Sequence, residues 1–143
     1  MATQTTPIGK FRERMKMFLE RLKTYLDRPH LRELDKFQTK YDLGMKADPR
    51  GTTGLFVDSL KPYAHQIMQG QDSFFLNELD IEPEYAGLAE SLRSLWPTLD
   101  EGAQQYIRDQ FKLLLMLGAI AVRDEEVRCI INDYRDPANP LTF

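Results

Sequence analysis

The segment that most constrains this chain is Phe111–Val122, which reads Phe-Lys-Leu-Leu-Leu-Met-Leu-Gly-Ala-Ile-Ala-Val. Lys112 is its one charged residue, and Gly118 its one other interruption. Every other periodic segment has an apolar face and a charged face, whereas this one is apolar all round. A helix of that kind is enclosed by other elements or by lipid. At about 1.5 Å per residue it reaches about 18 Å, short of the roughly 30 Å of a bilayer core. Lys112 and Arg123 at its ends also argue against a membrane span. The segment therefore predicts a central core helix over residues 99–122, inside an all-α, single-domain bundle of five or six helices.

Leucine occurs 19 times against 7 isoleucines and 3 valines, a ratio that favours helix over strand. Thr6-Pro7 predicts a helix start, with Thr6 as N-cap and proline in the first turn. Ile8, Phe11, Met15, Phe18, Leu22 and Tyr25 follow at spacings of three and four. Written in sevens the segment is Phe11-RERMKM, Phe18-LERLKT, Tyr25-LDRPHL, with acids at Glu13, Glu20 and Asp27 and arginines at Arg14, Arg21 and Arg28. That seam suits a short coiled coil, but barely three heptads favour the plainer reading, a bundle helix with acid–base pairs on its wet face. Pro29 breaks the helix and opens a second, carrying Leu31, Leu34, Phe37, Tyr41 and Met45, with Gly44 as its expected C-cap. Lys46–Gly54 is expected as the one long loop. It lacks the Lys-Ser/Thr and the preceding strand that a phosphate-binding loop needs.

Phe56, Leu60, Tyr63, Ala64, Ile67 and Met68 predict a third helix ending near Gly70, kinked or split before Pro62. Phe74, Phe75, Leu76 and Leu79 are expected to plug one end of the bundle. Asp80-Ile-Glu-Pro-Glu84 lacks the glycine of a calcium loop and reads as a solvated helix start. Tyr85, Leu88, Ala89, Leu92, Leu95 and Trp96 define a fourth helix, stopped by Pro97. Thr98-Leu-Asp-Glu101 predicts a capping box for the central helix. Asp124–Glu126 prolongs or renews that helix, with Val127, Ile130, Ile131 and Tyr134 on one face and an Asp124–Arg128 pair. The expected organisation is a flexible N-terminus over 1–6, a helical domain over 7–135, and a proline-containing tail over 136–143.

Side-chain chemistry excludes more than it includes. His30 and His65 lack a second ligand at i+3 or i+4, so no metal site is expected. Cys129 lies on an apolar-rich helical segment and is expected to be a buried, inert thiol. No nucleophile elbow, Walker motif or dinucleotide fingerprint occurs, and no cofactor or catalytic residue is expected. The single cysteine rules out an internal disulfide and suits a reducing compartment. MATQTTPIG has no secretory pattern, so the expected location is intracellular and cytoplasmic.

Charge is the property that points outward. Residues 1–46 carry 11 Lys/Arg and 6 Asp/Glu, a balance of +5, while residues 62–92 carry 6 acids and no Lys/Arg. The two halves of a candidate interaction surface follow: Lys10, Arg14, Arg21, Lys23 and Arg28 on the basic side, Glu78, Asp80, Glu82 and Glu84 on the acidic side. Packing of one against the other, within a copy or between copies, would use both, so a protein partner or self-association is expected. Nucleic acid or an anionic membrane is the alternative ligand for the basic helix, although Glu13, Glu20 and Asp27 interrupt it and the pI of about 5.4 is unlike a nucleic-acid binder.

One resemblance adds to this. At Phe56…Leu60-Lys61-Pro62-Tyr63…Ile67…Asp72-Ser73-Phe74-Phe75, and again at Leu95-Trp96…Ile107…Leu113…Leu117, the chain resembles small all-helical proteins encoded by large double-stranded DNA viruses of algae and protists. The likeness covers about half the chain and contains no catalytic motif. It implies a viral protein made in the cytoplasm, packaged in the virion or serving its assembly. From the three-heptad first helix, the charge polarity and the absence of site motifs, the expected function is that of a non-enzymatic interaction or scaffold protein. An adaptor for nucleic acid or an anionic membrane is the first alternative, and an enzyme with a pocket around His65 or Cys129 the second.

Overall fold

In the structure, a computed structural model, residues 6–71 and 92–134 are described. Helix α1 spans Pro7–Lys23, and it starts as the sequence predicts. Thr6 is extended, and its Oγ1 accepts a hydrogen bond from the Gly9 amide at 3.0 Å. One stripe of α1, carrying Phe11, Met15, Phe18, Leu19 and Leu22, is buried. The heptad pattern stops sooner than its sequence does. Thr24 closes the helix by donating its hydroxyl hydrogen to the Arg21 carbonyl at 2.7 Å. Asp27 belongs to the next helix, whose His30 amide it caps at 3.3 Å. Pro29 has no amide hydrogen and its ring collides with a preceding helical carbonyl, so the first helix cannot run through it. Arg28 is thus a residue of α2 and not of the basic first helix.

Helix α2 spans Arg28–Ala47 and buries Leu34, Phe37, Tyr41 and Met45. Gly44 does not cap it, and Lys46–Gly54 is not a loop. The chain turns at a single residue, Asp48, which accepts from the Gly51 amide at 3.0 Å and begins α3, Pro49–Leu60. This Asp-Pro start is the same device as Thr6-Pro7, masked in the sequence by Gly51 and Gly54. Gly44 instead lets α3 approach: a Cβ there would lie 2.5 Å from Thr52 Oγ1. Thr53 is fully buried and satisfies its hydroxyl on the Pro49 carbonyl at 2.8 Å.

Pro62 splits the third helical segment as predicted. A 3-10 turn, Lys61–Tyr63, separates α3 from the short α4, Ala64–Met68. Gly70, at φ 74°, ends it in the left-handed region, where glycine is favoured. The plug at 74–79, the acidic run at 80–84, the fourth helix up to residue 91 and the tail at 136–143 lie outside the described residues. Residues 92–95 are helical, with Leu92, Leu95 and Trp96 buried. A 3-10 turn at Trp96–Thr98 contains Pro97.

Helix α5, Glu101–Val122, is capped by Asp100, not by Thr98. The Asp100 carboxylate accepts from the Ala103 amide at 2.8 Å. Thr98 does not form the expected box because it ends the preceding 3-10 turn, its hydroxyl donating to the Leu95 carbonyl at 2.6 Å, and the helix starts two residues later than that box requires. The central position of α5 is as predicted: it packs against α1, α3, α4 and α6. Phe111 meets Phe18 of α1 edge-on at 5.9 Å, and Leu114 to Ala119 are all buried. Arg123 ends α5 in the left-handed conformation, and the Asp124 amide donates back to the Ala119 carbonyl at 2.9 Å. Asp124 then caps α6, Glu125–Asp133, through the Val127 amide at 3.0 Å. Arg128 pairs with Glu125 at 2.9 Å rather than with Asp124. Six α-helices lie wholly within the described residues, where no strand occurs, and together they form an all-α, single-domain bundle.

Candidate interaction surface on the first helix

The buried stripe of α1 decides where its charges go. At about 3.6 residues per turn, positions i, i+4 and i+11 fall on one side of a helix. Lys10, Arg14 and Arg21 share that spacing and flank the buried stripe on one side. Arg12, Lys16 and Lys23 repeat it on the other. Glu13 and Glu20 run between the two basic stripes along the outermost ridge, beside Met17, which is 47% exposed. The seam that could have zipped two copies together is therefore spent inside the bundle, chiefly against α5. What α1 presents outward is two lines of cations separated by an acidic ridge.

The stripes have different neighbours. Arg21 donates from Nε to the Tyr25 hydroxyl at 3.1 Å, and its guanidinium lies 5.5 Å from the centroid of Tyr106 on α5. Burial pushes the Tyr106 phenol above its ordinary pKa, and the fields of Arg21 and Arg14 partly oppose that shift. The first stripe thus borders α5, and Arg21 serves packing as well as charge. On the other side Arg12 and Lys16 join Gln38, Tyr41 and Asp42 of α2 around a cavity of about 340 Å³. Among the described residues, none of Lys10, Arg12, Arg14, Lys16, Arg21 or Lys23 forms an ion pair. Arg28 stands apart at the start of α2. Glu78, Asp80, Glu82 and Glu84 lie outside the described residues.

Two other groups were candidates for chemistry. Cys129 is exposed, contrary to the buried thiol expected. Val127 and Ile131 take the inward side of α6, and residue 129 points about 200° away from 127 at about 100° per residue. His65 is exposed too, and its Nδ1 lies 2.8 Å from the Tyr134 hydroxyl, which also accepts from Gln69 Nε2 at 3.1 Å. These contacts tie α4 to α6. No group of three or more His, Cys, Asp or Glu side chains suited to a metal ion occurs among the described residues.

A polar contact that the sequence does not disclose joins the 3-10 turn before α4 to the start of α6. Lys61 Nζ lies 3.0 Å from Asp124 and 3.2 Å from Glu126. Hydrogen bonds to both carboxylates raise the Lys61 pKa. Burial acts to raise that of Asp124, but the Val127 amide and Lys61 together bring it below the ordinary carboxylate range. No helix among the described residues is long and apolar enough to cross a membrane. No protein-family model, curated protein or solved structure matches the chain.

Proposed function

We propose that the chain is a non-enzymatic helical interaction protein that docks the outward face of α1 on an acidic surface of a protein partner, a second copy of the chain being the first such partner. The observation that carries this reading is the absence, among the described residues, of any ion pair to the α1 cations, although they line both flanks of one helix. Most of them stand in solvent, where a partner's carboxylates can reach them at little desolvation cost. The Glu13–Glu20 ridge favours a protein over nucleic acid. A continuous phosphate backbone laid along α1 would meet carboxylates midway, whereas a protein surface can place its own cation there. In sequence, Glu78, Asp80, Glu82 and Glu84 offer the complementary charge on another copy. A virion structural or assembly role fits the same reading.

Carbodiimide coupling, which joins lysine amines to carboxylates in contact, tests it on a mixture of natural-abundance and nitrogen-15-labelled chains. Mixed-label links from Lys10, Lys16 and Lys23 into the 78–84 acids are expected. Links that form equally from Lys36, Lys40 and Lys46, or none between labels, would overturn the self-docking form of the proposal.

A further inference from the structure

A second cavity, of about 460 Å³, opens on another part of the molecule, where the starts of α1 and α3 meet the end of α5. Its size falls within the usual range of small-molecule sites. Ile8, Pro49 and Ile120 give it apolar walls, and Ile120 remains 37% exposed there, one of few large apolar side chains left uncovered among the described residues. Arg50 of α3 and Arg123 line the same space, with Asp48 as the acid beside them. The two helix starts are already satisfied: Thr6 Oγ1 holds the Gly9 amide and Asp48 Oδ1 holds the Gly51 amide. Positive charge in the cavity therefore comes from the guanidinium groups. Arg50 spends one N–H on the Ala121 carbonyl at 3.4 Å and keeps further donors.

Arg123 is the informative residue. At φ 57° it is the one non-glycine residue in the left-handed region among the described residues, at a helix end where glycine is the ordinary choice. A long cationic side chain is thus kept where the backbone would favour none, at a residue that lines this cavity. Strain retained at such a position points to a use for the side chain.

We propose that the cavity binds a small organic carboxylate with a short apolar stem, the carboxylate between Arg50 and Arg123 and the stem against Ile8 and Ile120. Two arginines less Asp48 leave one net positive charge in the lining. That balance matches a monoanion and disfavours a phosphate dianion. The site is separate from the outward face of α1, so either proposal can fail without the other.

Titration of the full chain with sodium hexanoate, followed by amide NMR, tests it, with 1-hexanol and inorganic phosphate as comparison probes. Saturable shifts at Ile8, Arg50, Ile120 and Arg123 in the millimolar range are expected, with much weaker responses to the other two probes. Arg123→Gly should raise the Kd for hexanoate at least about tenfold, yet melt no lower than the parent, because glycine takes the left-handed conformation without penalty. Arg50→Gln should weaken hexanoate in the same way. No saturation, unchanged affinity in both variants, or equal binding of hexanol or phosphate would overturn the proposal.

Discussion

Gly118 of α5 lies directly beneath Val57 of α3: a Cβ built on the glycine would sit 2.7 Å from Val57 Cγ2 and 3.3 Å from Phe11 Cε2. The missing side chain is what lets α1 and α3 both close on the central helix. Gly118→Leu should therefore destabilise the domain by about 1–3 kcal/mol or more through overpacking, read as a lowered thermal midpoint. Gly118→Ala should do the same in part, and Val57→Ala should restore some of that loss by removing the opposing methyl. Additive costs in the double variant would mean that the two residues do not share this contact.

The short joint at Asp48 makes a contrasting prediction for another glycine. Gly54 is in the interior of α3, with nothing within 4 Å of the point where an alanine methyl would stand. Gly54→Ala should stabilise the protein by about 0.5–1 kcal/mol, as it does in exposed helix interiors. Asp48→Ala should cost about 0.5–2 kcal/mol by uncapping α3. Denaturant midpoints for the two variants should move in opposite directions; a neutral pair would restore the loop that glycine content suggests.

Asp124 should give stability an acid limb. Its folded pKa is depressed, because the Val127 amide and Lys61 outweigh the effect of burial. A depressed carboxylate contributes stability that is present above its unfolded pKa and is lost as pH falls through the folded value. The loss therefore belongs below the ordinary carboxylate range. Asp124→Asn keeps a capping oxygen but loses the charge facing Lys61, so it should flatten that limb while retaining α6 helicity. Lys61, whose pKa is raised, contributes in the opposite sense: its share persists below the unfolded lysine value and is lost as pH rises through the folded one. An acid limb of the same size in Asp124→Asn would remove Asp124 from the account.

Much of this architecture is written locally and could be read. The all-apolar run at 111–122, the Thr6-Pro7 start and the split before Pro62 each state their own structure within a few residues. The errors share a cause, competition between two local signals. Gly44 looks like a helix end until Thr52 of α3 is seen to need the space. Thr98 fits a capping box until it is found in the Trp96–Thr98 turn, with Asp100 taking the cap. Arg28 continues a heptad arithmetically, but Asp27 and Pro29 start a new helix there. Of the candidate surface, the α1 cations were legible because helical spacing sorts them. The Lys61–Asp124 and Arg50–Arg123 neighbourhoods were not, since each joins residues more than sixty positions apart through the packing of whole helices.

The central claim, that the basic face of α1, free of ion pairs among the described residues, docks on an acidic surface of a second copy, is tested most directly by static light scattering of the purified chain at tens of micromolar, across a salt series. The account predicts a mass above the 16.7 kDa of one chain at low salt, falling toward it as salt screens the contact, and no rise at all for the folded variant Lys10→Glu/Arg14→Glu/Lys16→Glu. A mass of 16.7 kDa at the lowest salt, or assembly that the charge reversal leaves intact, would contradict it.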